Sequence, residues 1–327
     1  MDYSVLEQPI TSAEIAEFKK NNQTARWVLV SYVPAWVMGI VAALFFAAIV
    51  PAWVNVSDDN GLLMLILGTF AMSFAIGMYT LAQYGREHVL LARFAKKNNA
   101  TYNCKVKDPS ISGMLFDLGH TRILKDGITF QNGVQVGAFK FVTGSGKSQQ
   151  THNWVFASMP LPRKLPHMVL DAKKNNIFKV ISNLPESLDK NQRLSLEGDF
   201  DQHFTLYAPK EYKTDALYIF TPDVMQAALE NGGMYDMEVV DDRFYIYNEM
   251  NYGLAKPKIM KSMLDIINKV GREIAEQGDY YADARVGDRA ANIVAEPGRR
   301  LKTKVGLVSI ILVIIYVIYI FLQFTGR

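Results

Sequence analysis

The sequence predicts an α+β soluble domain with a mostly antiparallel sheet, carried by three transmembrane α-helices. Three stretches without a charged residue, 27–53, 61–83 and 305–324, are long enough to cross a bilayer. All 35 lysines and arginines and all 32 aspartates and glutamates fall outside them. Between 100 and 248 the apolar residues come in short strand-like runs, and marked helices arrive late. The partition excludes a fully soluble protein and a transporter made mostly of membrane helices. A hydrophobic share of 50% excludes a disordered chain.

Residues 1–26 read as a cytoplasmic tail with one short helix, because Thr11 and Glu14 fit a capping box and Ile15 and Phe18 give an apolar side. The pair 27–53 and 61–83 reads as a transmembrane hairpin (27–83) joined by the short connector 54–60. Trp27 and Trp53 suit the headgroup level, and Pro34 and Pro51 kink or end the first helix. Its apolar run exceeds that of a signal peptide, so the segment is expected to be retained. Ala35, Gly39, Ala43 and Ala47 put small side chains on one helical face, which invites another helix, in the same chain or in a homo-oligomer. Ser73 and Gly77 offer a shorter version on the second helix. That helix continues as a stem over 84–99, ended by Lys96-Lys97-Asn98-Asn99.

The soluble domain is expected over 100–277. Strands are read at 102–106, 134–142, 154–159, 194–196, 204–207 and 216–220. Two more, 237–240 and 244–247, flank Asp241-Asp242-Arg243 as a hairpin turn. One helix starts with Thr221 as N-cap and Pro222 at the first turn and closes at Gly232-Gly233. Another runs from Pro257 to about Glu276, with Ile259, Met263, Ile266, Ile267, Val270 and Ile274 on one face. Regular strand–helix alternation is missing, which argues against a doubly wound nucleotide-binding sheet. Residues 278–304 read as a flexible basic linker into the third helix, 305–324.

Charge sets the expected topology. Lys19, Lys20, Arg26, Arg86, Arg93, Lys96 and Lys97 flank the hairpin on the side of the large domain. Arg285, Arg289, Arg299, Arg300, Lys302 and Lys304 precede the third helix on that side; Arg327 alone lies opposite. The positive-inside rule then makes the N-terminus and the central domain cytoplasmic and leaves the C-terminus outside. The same basic residues suit anionic lipid headgroups, or a protein partner, more than nucleic acid.

Gly144-Ser145-Gly146-Lys147-Ser148 mimics a phosphate loop, but Phe141 stands where that motif needs glycine, and strand-like sequence lies on both sides. Glu197, Asp199, Asp201 and His203 alternate; on an unbroken strand they would share a face able to hold a divalent metal. The competing reading is a solvated edge, with Gly198 breaking the alternation. His88, His120, His152 and His167 have no metal spacing, and Cys104 reads as a packed strand residue.

Leu196-Glu197-Gly198-Asp199-Phe200, Phe204-Thr205-Leu206-Tyr207-Ala208, Thr221-Pro222-Asp223-Val224-Met225 and Asp241-Asp242-Arg243-Phe244-Tyr245-Ile246-Tyr247, with the paired N-terminal helices, resemble a family of uncharacterised bacterial integral membrane proteins. The resemblance implies an inner-membrane location and brings no catalytic, cofactor or metal residue. The expectation is a membrane-anchored binding or scaffolding module without catalysis or cofactor. The alternative is a metal-dependent enzyme built on 197–203.

Overall fold

The structure, a computed structural model, describes residues 1–22, 36, 37, 39–44, 47, 59–176, 182–184, 187–196, 198–249, 253–288 and 290–303. It divides into two compact units: residues 1–104 with 253–257, and residues 105–252 with 258–327.

In the first unit, α1 (Ser12–Asn21) begins with the expected capping box. The Thr11 hydroxyl accepts from Glu14 N–H at 3.3 Å, and Glu14 Oε2 accepts from Thr11 N–H at 2.8 Å. Its Phe18 is buried with Val89 and Cys104, so Cys104 is a packing residue. Helix α2 (Asp59–Lys97) has 39 residues, about 58 Å at 1.5 Å each. The stem therefore continues from the apolar run without a break, and it stops where Asn99 adopts φ 53°. Arg93 on the stem ties down the N-terminal segment through Glu14 (3.2 Å) and the carbonyls of Gln8 (2.7 Å) and Pro9 (3.1 Å).

Among the described residues one helix, Ile66–Lys97, is long and apolar enough to cross a membrane. Phe70 and Ile76 on it are 70% and 57% exposed, an apolar surface that suits lipid rather than water. Its buried side is Gly68, Ala71 and Ala75, whereas Ser73 and Gly77 are exposed. The small-residue seam of α2 is thus rotated from the one expected. In the first apolar run Ala42 is buried, Ala43 and Ala47 are exposed, and a Cβ built on Gly39 would meet nothing within 4 Å. Ala35, the rest of 27–53 and the run 305–324 lie outside the described residues.

Strand β1 (Thr101–Lys107) carries the chain out of the first unit. The second unit is an α+β domain. Its sheet contains β2 (His120–Thr129), β3 (Gln135–Thr143), β4 (Gln150–Ala172), β5 (Arg193–Leu194), β6 (Phe204–Tyr207) and β7 (Asp236–Glu249). The order is β2-β3-β4-β6-β5, with β7 also on β4, and these pairings are antiparallel.

The 23-residue β4 is the axis of the sheet. It survives Pro160, Pro162 and Pro166 because the β4–β7 register shifts between Pro160 and Leu165 and again before Met168, where the missing N–H groups are not needed. The expected hairpin at Asp241-Asp242-Arg243 is not there. β7 is one strand, and Asp241, at φ 53°, forms the irregularity opposite those prolines. The stretch 216–220, expected as a strand, belongs to helix α4 (Lys213–Ile219), which follows the four-residue α3 (Phe200–His203).

Each sheet face has its own cover. Helix α5 (Pro222–Asn231) starts at the expected Thr221-Pro222. The long helix is also present, but split by a π-turn, Ile267–Gly271, into α6 (Pro257–Ile266) and α7 (Arg272–Asp279). A Cβ on Gly271 would run into Met159 and Phe244, so glycine there lets the helix approach β4 and β7 closely. On the opposite face Phe116 packs edge-on against Phe139 and Phe156, both with ring centroids 4.9 Å away, and Trp154, Tyr245 and Tyr247 extend the same aromatic layer.

Candidate functional site

Leu170 pairs with Met237 and Val169 with Glu238. Alternation then places His167, Val169 and Asp171 on one face of β4, beside Asp236 and Glu238 on β7. Both strands are apolar around these positions, so four polar side chains are carried into the interior by sheet register alone. They form two clusters.

The first is His167–Glu238, exposed by 4% and 0%. Leu301 N–H donates to His167 Nδ1 at 2.9 Å, so the ring proton sits on Nε2, which donates to Glu238 Oε1 at 2.7 Å. Met114 N–H donates to both carboxylate oxygens, at 2.9 and 3.1 Å, and the Tyr247 hydroxyl reaches Oε2 at 3.4 Å. Burial, and then the neighbouring Glu238 charge, push the Tyr247 phenol well above its ordinary range. Against His167 lies a cavity of about 250 Å³. Met114, Leu118, Leu188 and Leu301 make its apolar wall, and Asp117, Arg300 and Thr303 add polar groups. Arg300 is held by Asp241 through two bonds, 3.1 and 2.9 Å.

The wall residues Arg300, Leu301 and Thr303 come from the segment expected to be a flexible linker. It is fastened along its length. Asp283, 3% exposed, accepts from the Tyr212 hydroxyl (2.6 Å), Ala295 N–H (2.9 Å) and Arg285 N–H (2.9 Å). Arg285 lies over the Tyr212 ring at 3.9 Å. Asn292 Oδ1 accepts from Lys164 N–H at 2.7 Å, α8 (Glu296–Arg299) follows, and Gln192 bonds both backbone groups of Lys302 at 2.8 Å. Thr303 bridges to Leu188.

The second cluster is Asp171–Asp236, exposed by 3% and 0%. Ala172 N–H and Asn175 Nδ2 each donate to Asp236 at 2.9 Å. Burial, foremost, pushes the Asp236 carboxyl up to about 7, and the charge of Asp171 works in the same direction. Asp171 is raised as well, by burial.

The acidic residues expected on one strand are not brought together there. Glu197 lies outside the described residues, Asp199 precedes the helical turn α3, and His203 stands 3.9 Å from Asp199 with both exposed. Asp201 is used locally, accepting from Leu196 N–H at 3.1 Å and from the Ser195 hydroxyl. The 144–148 stretch is the loop between antiparallel β3 and β4, with a single 3-10 turn, Gly146–Ser148, and no helix opening behind it to face a phosphate. Neither buried cluster is legible from spacing in the sequence. The available signal was a charged residue inside an apolar run, as in Met237-Glu238-Val239 and Leu170-Asp171-Ala172.

No family model matches the chain, and no curated protein matches it. Among solved structures, the mycobacterial trehalose monomycolate transport factor A, TtfA, has a TM-score of 0.40 and 9% identity, covering 57% of this chain and 94% of that one. A likeness at that score carries no argument, and the functional reading rests on the chain's own geometry.

Proposed function

We propose that this is a membrane-anchored binding module of the bacterial inner membrane that recognises anionic lipid headgroups, without catalysis. The observation that carries the reading is the place of the cavity. Thr303, in its wall, is two residues from the apolar run 305–324, so at most about 7 Å of chain separates them. If that run crosses the membrane, the cavity stands at headgroup level. Arg300 supplies a fixed cation, Thr303 a hydroxyl, and the leucines a surface for the first methylenes of an acyl chain. His167 is not poised for proton transfer, because both ring nitrogens are occupied by Glu238 and Leu301.

The proposed topology has three crossings, with the N-terminus and domain cytoplasmic and the C-terminus outside. A phosphatase fused near residue 250 should be inactive in the cell and one fused at the C-terminus active; the reverse pattern overturns it. Gly39, Ala43 and Ala47, which are not the buried side of their helix, are proposed as the seam of a homo-oligomer. Lipid recognition is tested by native mass spectrometry of the full chain in detergent. Anionic phospholipid should be retained by the parent and lost with Arg300→Gln or Leu118→Trp. Equal retention in all three sinks the reading.

A further inference from the structure

Asp171 and Asp236 lie one rung beyond the Leu170–Met237 pair, directly across β4 and β7. Two carboxylates buried this deeply need a countercharge. Among the described residues, no lysine, arginine or histidine lies within ion-pair distance of either. Arg193 and Lys173 act on Asp171 only from beyond that distance, and the groups nearest the pair are neutral donors. Asp236 takes Ala172 N–H and the Asn175 amide, with the Asn183 side chain close by, and the Ser182 and Asn176 side chains lie close to Asp171.

Three oxygens remain unmet. Asp171 Oδ1, Asn175 Oδ1 and Asn183 Oδ1 are each buried without a hydrogen-bond partner. Asp171, itself 97% buried by its 3% exposure, therefore keeps a bare carboxylate oxygen beside a second carboxylate. A shared proton, which the raised Asp236 carboxyl favours, would relieve one charge and leave the amide oxygens unmet, and a water would leave the charge. A cation satisfies both needs. A half-turn of an Asn side chain exchanges amide N and O in place, so Asn175 and Asn183, which turn nitrogen toward Asp236, can turn oxygen toward the same point.

We propose that Asp171, Asp236, Asn175 and Asn183 form a binding site for a hard divalent cation of the calcium class. Two carboxylates and two amide carbonyls match the oxygen donors such ions take, and water completes a shell of six to eight. Magnesium is the poorer fit, because it demands near-ideal octahedral geometry and sheds water reluctantly. The cation would join β4 and β7 to Asn175 and Asn183, closing this end of the sheet. This site is separate from the lipid cavity and stands or falls without it.

The test uses the full chain, stripped with chelator in zwitterionic detergent. Terbium titration should give saturable emission, sensitised by Tyr207, whose phenol feels the Asp171 charge. Calcium should displace it at lower concentration than magnesium. Calcium at about a hundredfold excess over its Kd should raise the melting midpoint by about 5 °C. The Asp171→Asn/Asp236→Asn double variant should lose both effects. Asn183→Ala, a milder change in case the double variant does not fold, should weaken calcium at least tenfold. The proposal is overturned if the parent shows neither saturable emission nor a calcium shift, or if a folded double variant keeps both. It is equally overturned if Asn183→Ala binds like the parent. Melting that is indifferent to calcium, combined with a higher midpoint for Asp236→Asn, would mean that the pair shares a proton instead.

Discussion

The two buried clusters of β4 and β7 use the same sheet face and the same two strands, yet differ in how fully their polar atoms are met. At His167–Glu238 the donors and acceptors balance: an imidazole, two backbone N–H groups and a phenol are shared among two carboxylate oxygens and one ring nitrogen. At Asp171–Asp236 no cation among the described residues reaches ion-pair distance, and three oxygens are left bare. The difference teaches that burial alone does not mark a ligand site. What separates the two is unmet oxygens, which among the described residues only the second cluster has.

The largest effect should come from breaking the balanced cluster. His167→Ala removes the imidazole N–H from Glu238 and the acceptor from Leu301 N–H, and should cost about 3 kcal/mol, as buried groups left unsatisfied do. Urea unfolding measures it; a cost below about 1 kcal/mol would mean that the cluster was never balanced by the histidine.

The same substitution logic should give the opposite sign at the other end. In chelator, Asp171→Asn removes one of two facing charges and should stabilise by about 1 kcal/mol. A loss of several kcal/mol there would erase the distinction between the clusters.

Asp283 is a buried acid outside both clusters and resembles the first. Burial alone would raise its pKa, but Ala295 N–H, the Tyr212 phenol and Arg285 together hold it below the usual carboxylate range. Its contribution, about 1 kcal/mol, is therefore full above the ordinary range near pH 4 and is lost as pH falls through the lower folded value. Hydrogen exchange at Arg285 and Ala295, corrected for intrinsic rate, should quicken between pH 5 and about 2, and Asp283→Asn should remove that dependence.

The smallest effect concerns Thr221. It occupies the N-cap position of α5, but makes no cap bond, and its buried hydroxyl has no partner. Thr221→Val should change stability by no more than about 0.5 kcal/mol, whereas a working cap would cost about 1 kcal/mol in thermal melts.

Thr221 also shows where sequence reading stops. Thr11 and Thr221 look alike as caps, but only the first has Glu14 three residues on to reciprocate. Local chemistry placed α1, α5, β3, β6 and the helix after Pro257 correctly, because each is fixed by neighbours in the chain. The errors arose where distant pairing decides. Asp241-Asp242-Arg243 carries turn residues, yet β4 supplies a partner on both sides and converts the turn into a bulge. Pro160, Pro162 and Pro166 concealed the second half of β4. The acids at 197–203 stood out by spacing, while Asp171 and Asp236, 65 positions apart, meet only through register. The linker expected from glycine and polarity was legible as non-helical; its anchoring by Tyr212, Gln192 and His167 was not, since each of those lies at least 70 residues away.

That anchoring has a mechanical consequence. Thr303, Lys302, Leu301 and Arg300 are each held by a different residue: Leu188, Gln192, His167 and Asp241. A tension applied beyond Thr303 meets these attachments one after another, so the segment peels instead of shearing. Each step then resists with only the bonds of one residue, about 1 kcal/mol for a neutral pair. The third step frees the ring nitrogen of His167. A displacement of the chain beyond Thr303 by a few residues would thus strip Arg300, Leu301 and Thr303 from the cavity wall while the sheet behind it stays intact.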